Sequence, residues 1–455
     1  MKNLVKIILL WLFLPLLLAG VELRVVTTGD LHGQLPVFSR LAVAIQNEKP
    51  DILIDCGDLF SGNYYSDSDC GRSMVEALNL LEFDVWVPGN HDFELPFDKL
   101  RELFIRFRGS VLGNWQSRQL PEVLPYTIIT RKGFRCAVIG MGDAIQDQRL
   151  LPGTPFTMTA ARKFLEKTLA EISDFNPDVV ILALHRGLYS SAGDLFSLLK
   201  YFPQISLVLG GHTHQGDPGR NLGDAYYLQA PSHAHGAAVA VLEIDKKSRR
   251  INNIESWIIP PEKEKFHPGV MKLYRELKNL LDVSGQKVIA TIPGGLKQEK
   301  GFNNQFAVMA AESLRSAAKA DAGIFTGSVS GKSRSEKINE FDLFYLMPFR
   351  SEIITVRLTR AELANLLKEE MRLSRGKKSF MSSGISGVKF RQVRKSVDPV
   401  SLPSEITIAM GSYRFCASKA LAGVRRDQSR WRRTGISERD AFREYIIRKF
   451  PERKK

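Results

Sequence analysis

Five short stretches combine glycine with aspartate, asparagine or histidine: Gly29-Asp30-Leu31-His32-Gly33, Asp55-Cys56-Gly57-Asp58, Gly89-Asn90-His91-Asp92, Leu184-His185-Arg186-Gly187 and Gly210-Gly211-His212-Thr213-His214. They hold five of the chain's eight histidines. A single histidine of this kind reads as a hydrogen-bonded structural residue. Independent structural roles would not gather so many beside Asp, Asn and Gly. Mixed imidazole and carboxylate donors suit Zn, Mn, Fe or Co rather than an all-oxygen calcium site. The glycines let the backbone turn sharply and approach a ligand closely. In Asp30-x-His32 and His212-x-His214, strand alternation predicts that both side chains leave on one face.

The elements that must position these residues are legible as well. Strand-like runs at 23–28, 52–55, 85–87, 137–139, 179–184 and 207–209 alternate with helical patterns at 38–47, 72–81, 98–107 and 159–175. That alternation predicts an α/β layered sheet, in which loops at the carboxyl ends of strands converge on one crevice. A length of 455 residues with 44% hydrophobic and 25% charged side chains excludes wholesale disorder and rods, and suggests two or three domains. Pro260, Pro261 and a charged stretch precede an amphipathic segment, 270–281, and a second α/β region begins near Val288. The expected division is a signal segment at 1–20, a first domain at 22–258, a linker with bridging helix at 259–285, and a second domain at 286–455.

Lys2 and Lys6 precede an apolar run, 7–18, closed by Ala19 and Gly20, the order of a secretory signal. The chain is therefore expected to be exported, secreted or periplasmic, or membrane-anchored if the segment stays uncleaved. Val21 excludes a lipid-modified cysteine there. Net charge is +15, yet residues 414–455 alone hold 14 Lys/Arg against 5 Asp/Glu. The charge is thus a C-terminal feature and does not predict specific nucleic-acid binding. Ser437 with Asp440 reads as a helix start, and Phe442, Ile446 and Phe450 as an apolar stripe, leaving 425–433 and the terminal lysines as solvated surface. Four cysteines are too few for a disulfide scaffold, and would allow three pairings.

The order D-x-H, G-D, G-N-H, H, G-H-x-H resembles the calcineurin-like metallophosphoesterases. The variants D-L-H-G, D-C-G-D-L-F-S-G, G-N-H-D-F-E and G-G-H-T-H look like the secreted 5'-nucleotidase branch. That branch also contains 2',3'-cyclic nucleotide phosphodiesterases and a sulfur-oxidising thiosulfohydrolase. The resemblance implies a layered α-β-β-α metallophosphoesterase domain followed by a smaller α/β domain. It implies two divalent metal ions, one held by Asp30, His32, Asp58 and His214, the other by Asp58, Asn90, His185 and His212. In-line attack of a metal-bridging hydroxide on a phosphate ester, most expectedly a nucleotide, would follow. Asn90 would stabilise charge on the equatorial oxygens, His91 would stabilise that charge or protonate the leaving oxygen, and Glu94 stands where the family has an aspartate orienting that histidine. His233 and His235 follow the motif set and could lie near the crevice, but they match no family ligand and are read as exposed loop residues; Cys56 is read as packing.

In such proteins the C-terminal domain stacks the base on aromatic rings and steadies phosphate with arginines. Here N-x-G-G-x-R appears as Thr326-Gly327-Ser328-Val329-Ser330-Gly331, with Arg334 nearby, and P-F-G-N as Pro348-Phe349-Arg350-Ser351. Arg334, Phe349 and Arg350 are the candidate substrate contacts, and an altered leaving group is expected. Two alternatives stand beside this one: thiosulfohydrolase-like cleavage of a sulfur–sulfur bond on the same metal site, and a catalytically quiet ligand-binding protein. Expected partners are a small phosphate ester or nucleotide, with weak anionic-surface contact through the basic tail.

Overall fold

The computed structural model describes residues 20–142, 157–190, 193–328, 333–375, 381–393 and 396–452. The proposed signal segment lies outside these residues except for Gly20, as do Lys454 and Lys455. Among the described residues, no helix is long and apolar enough to cross a membrane. Cys56, Cys70 and Cys136 are free thiols.

The chain forms two compact units. The first takes residues up to Phe60 and most of 69–275, the second Ser61–Ser68 and Glu276–Lys455. The chain passes from one to the other within the helix Pro268–Gln286.

Two six-stranded sheets build the first unit. One runs, in order, Ile251–Ile259, Ala237–Ile244, Val21–Thr28, Ile52–Asp55, Val85–Trp86, Ser110–Val111, and the other Asp217–Leu222, Ala225–Gln229, Leu207–Gly210, Val179–Leu184, Phe134–Met141, Tyr126–Arg131. Strands such as Ile-Leu-Ile-Asp and Val-Val-Ile-Leu-Ala-Leu are buried along their whole length, as parallel strands covered on both faces must be. Alternate residues divide between two cores. Leu23, Val25, Ile52 and Ile54 meet Val138, Ile181 and Leu209 between the sheets. Ile139, Leu182 and Val208 point the other way, against Phe164, Leu165 and Ile172 of the helix Ala161–Ser173. With the inner face of the first sheet taken, the crossover helix Leu35–Glu48 must cover the outer one, and it buries Leu35, Phe38, Leu41 and Ile45. The layers are α-β-β-α.

Val21–Thr28, Ile52–Asp55, Val85–Trp86 and Ser110–Val111 pair in parallel, as do Phe134–Met141, Val179–Leu184, Leu207–Gly210 and Ala225–Gln229. Each set therefore delivers its carboxyl ends to one edge.

In the second unit a six-stranded sheet runs Gly301–Phe302, Met381–Ser386, Ala322–Ser328, Glu405–Gly411, Glu352–Thr359, Trp431–Ser437. Ile324, Ile354 and Ile408 pack on Leu363, Leu366 and Leu367 of the helix Arg360–Arg375. Their neighbours Phe325, Ile353 and Ala409 face Phe306, Ala310 and Leu314 of the helix Gln305–Ala318. The last helix, Glu438–Lys449, is capped by Ser437, whose Oγ accepts from the Asp440 amide at 3.0 Å, and it buries Phe442 and Ile446 completely.

The basic C-terminal stretch is less solvated than its composition suggests. Arg414, Arg430, Arg433, Arg439 and Arg443 each face a carboxylate of the chain, and Arg425 donates to the carbonyls of Phe415 and Ser418.

Candidate metal centre

The five signatures follow the strands ending at Thr28, Asp55, Trp86, Leu184 and Gly210. Strand alternation does not pair Asp30 with His32, since the strand has already ended. Both residues instead adopt left-handed backbone, φ 52° and 46°, as do Asp58 (51°), His212 (73°) and His214 (61°). Non-glycine residues take this conformation sparingly, and where several gather at one edge the surrounding contacts must hold them there. Those contacts are visible. The amides of Asp30 and His32 donate to the carbonyls of Gly57 (2.7 Å) and Asp58 (3.0 Å), and the His212 amide donates to the Asp30 carboxylate at 2.9 Å. Two glycines allow the loops to meet. A Cβ on Gly57 would stand 2.5 Å from the Gly89 nitrogen, and one on Gly89 would stand 2.3 Å from Asp58 Oδ1.

The donor atoms form two adjoining groups that share one residue. Asp30, His32, Asp58 and His214 offer atoms all within 4.8 Å of one another, and so do Asp58, His185 and His212. His32 Nε2 is 3.1 Å from His214 Nε2, and His214 Nε2 is 3.5 Å from Asp30 Oδ1. In the other group, Asn90 Oδ1 is 3.2 Å from His185 Nε2 and 2.9 Å from His212 Nδ1. Asp58 Oδ2 faces both, 3.2 Å from His185 Nε2 and 4.0 Å from His32 Nε2. Ligands bonded at about 2.0–2.2 Å to one first-row cation are spaced about 3 Å apart, so the donor set fits such an ion. The buried Nδ2 of Asn90 has no hydrogen-bond partner among the described residues.

A second layer holds these donors. His185 Nδ1 donates to the Cys56 carbonyl at 2.6 Å, which aims Nε2 at Asp58 and Asn90. Asp92 is fully buried and accepts from the amides of Asp58 (3.1 Å), Leu59 (3.0 Å) and Gly89 (2.8 Å). Sequence reasoning passed over Asp92, although its place directly after His91 in the third signature was the available clue. The Cys56 side chain packs between the sheets, where burial pushes its thiol up to about 12.

Burial dominates the electrostatics. It lowers His32 to about 3, and His212 and His214 to about 4, keeping their ring lone pairs available. It raises Asp30 to about 7. For Asp58 burial works in the same direction, but the imidazoles of His185, His91 and His32 outweigh it and hold the carboxyl well below its usual range. His185 is the complement: burial disfavours its charge, yet Asp58 raises it to about 10. A cation binding here competes with that proton.

His91 projects beside this cluster. Its amide donates to Asp58 Oδ1 at 2.7 Å, and its Nδ1 lies 2.9 Å from Glu94 Oε1. The extra methylene of Glu94 therefore still reaches the ring. His233 departs from its reading as an exposed loop residue: its ring stacks on His32 at 5.1 Å, stands edge-on to His214 at 5.3 Å, and its amide donates to the Asp30 carbonyl. The tight turn through Ser232–His235 causes this, and His235 itself is exposed. Phe349 and Arg350 lie half-buried in the second unit, after Met347 and Pro348. Arg334 pairs by its backbone with Leu296, and its side chain lies outside what is described.

Comparison with known proteins agrees with this architecture. Residues 23–216 match the calcineurin-like phosphoesterase family and residues 288–399 the 5'-nucleotidase C-terminal domain. Silent protein UshA(0) of Salmonella typhimurium is 29% identical over 226 residues, covering 42% of this chain and 40% of that relative. The match thus spans well under half of the curated relative's length. Among solved structures, the fold is shared with a 5'-nucleotidase precursor from Thermus thermophilus (TM-score 0.69, 16% identity, 94% of this chain and 97% of that one). It is shared also with a putative 5'-nucleotidase from Staphylococcus aureus, in complex with alpha-ketoglutarate (TM-score 0.76, 15% identity, 95% and 98%). The chain thus joins a region matching the calcineurin-like phosphoesterases to a region matching the 5'-nucleotidase C-terminal domain.

Proposed function

We propose that the protein hydrolyses phosphate esters, nucleotides foremost, with two divalent ions held by Asp30, His32, Asp58 and His214 and by Asp58, Asn90, His185 and His212. The observation that carries this reading is Asp58, whose carboxylate belongs to both donor groups and can bridge two cations. Such ions supply an activated water and polarise the phosphoryl group. The remaining work falls to the chain. Asn90 Nδ2 is a buried donor available to an equatorial phosphoryl oxygen. Glu94 accepts from His91 Nδ1, so that Nε2 can stabilise charge or protonate the leaving oxygen. Phe349, Arg350 and Arg334 of the second unit are assigned to the leaving group. Export of the chain by its N-terminal segment fits this role. Contact with an anionic surface would rest on the exposed Arg426 and Arg432, because so many other C-terminal arginines already face carboxylates.

The test is metal analysis of the purified protein, together with turnover of nucleoside monophosphates, 2',3'-cyclic nucleotides, bis-p-nitrophenyl phosphate and a thiosulfonate. Two bound equivalents of metal and metal-dependent phosphate release are expected. Thiosulfonate cleavage without phosphatase activity, or full metal loading without any turnover, would overturn the reading.

A further inference from the structure

Arg439 occupies an unexpected place. It is the second residue of the helix Glu438–Lys449, after the cap Ser437, where the helix dipole disfavours a cation. It is also 2% exposed, among the largest fully buried side chains of the molecule. Its hydrogen bonds show what it does there. Nε donates to the Met347 carbonyl at 2.7 Å, Nη2 donates to the Pro348 carbonyl, and the guanidinium lies 3.7 Å over the Phe344 ring. Both terminal nitrogens reach Asp67 Oδ2 at 3.1 Å, and Asp67 is itself buried. One residue earlier, the Glu438 amide donates to the Ser351 carbonyl at 2.8 Å. The start of this helix thus grips the backbone on both sides of Phe349 and Arg350, at Pro348 and at Ser351. A Cβ built on Gly62, in the segment that Asp67 anchors, would stand 3.8 Å from Cε1 of the Phe349 ring.

We propose that Arg439 is a positioning residue for substrate recognition, fixing the Phe349–Arg350 turn while Asp67 fixes Arg439. The proposal rests on the reading that the second unit recognises the leaving group. Lysine at 439 would keep the charge but lose the fork that serves two carbonyls and a carboxylate together. The contacts named above involve none of the metal donors, so hydrolysis of a small aryl phosphate should be indifferent to both residues.

The experiment compares wild type, Arg439→Lys and Asp67→Asn, metal-loaded, on AMP and on bis-p-nitrophenyl phosphate, with thermal unfolding followed alongside. Both variants should raise KM for AMP roughly tenfold, with kcat and the aryl phosphate kinetics nearly unchanged. Equal loss of kcat on both substrates at constant KM would mean fewer folded molecules, a merely structural role, and would overturn the proposal. So would unchanged AMP kinetics in both variants. A wild type that treats AMP no better than the aryl phosphate would instead remove the reading beneath it, before any variant is examined.

Discussion

Asp92 shows how much of this site is held by residues that touch nothing reactive. Its two oxygens accept three amides from two different loops, those of Asp58, Leu59 and Gly89, at full burial. Asn at this position would turn N–H groups toward one of those amides and release the loop of Asp58. Asp92→Asn should weaken metal binding by roughly 10- to 100-fold without unfolding the protein, as titration with Mn would measure. Unchanged affinity would show that the loops hold themselves. His91→Ala should lower kcat by roughly 10²- to 10⁴-fold at full metal content, and Glu94→Gln by less, because Glu94 acts through the ring it orients. Loss of metal in His91→Ala would make it a ligand instead. The donors themselves were legible, because histidine and aspartate beside glycine at five strand ends have few other uses. Their proximity within Asp30-x-His32 was foreseen from strand alternation, yet left-handed turns produce it. Asp92 was not legible because a buried acceptor announces itself only through amides brought from elsewhere in the chain. His233 was hidden by the same kind of turn.

At the scale of elements, the strands were readable where β-branched residues run together. The expected 52–55 and 179–184 are the observed Ile52–Asp55 and Val179–Leu184. Helix ends shifted by a few residues, where capping rather than periodicity decides: the pattern at 159–175 became Ala161–Ser173, and the segment at 270–281 became Pro268–Gln286. Sheet order was not readable. Nothing in its residues alone assigns Phe134–Met141 to the second sheet, since beyond the exposed Arg135 both of its faces are buried and lack polar side chains. The final helix was foreseen from its cap and stripe, and its contribution can be measured. Phe442 is completely buried between the helix Gln305–Ala318 and the sheet, its ring 5.6 Å from that of Phe306. Phe442→Ala should destabilise the second unit by about 3–5 kcal/mol in chemical denaturation. A cost under about 1 kcal/mol would mean that the helix is only loosely applied.

For the whole molecule, each unit has its own apolar core, and only the first contains the metal donors. Ions that bind the folded state stabilise it by mass action, about 2.7 kcal/mol at a hundredfold excess over Kd. Chelation with EDTA should therefore lower the melting transition of the first unit and leave that of the second in place, as calorimetry would resolve. Two transitions that shift together, or none that shifts, would count against a metal site confined to one unit. Composition predicted a basic C-terminus, but not that its arginines are spent on internal carboxylates far away in sequence, as Arg439 is on Asp67. That pair crosses 372 positions because residues 61–68 belong to the second unit while the chain on either side belongs to the first. Chimeras joined at the helix Pro268–Gln286 would consequently inherit a passenger: eight residues encoded with one parent's catalytic half but fitted to the other parent's partner half. Grafting 61–68 along with the C-terminal half, rather than cutting once, is the exchange this architecture should tolerate.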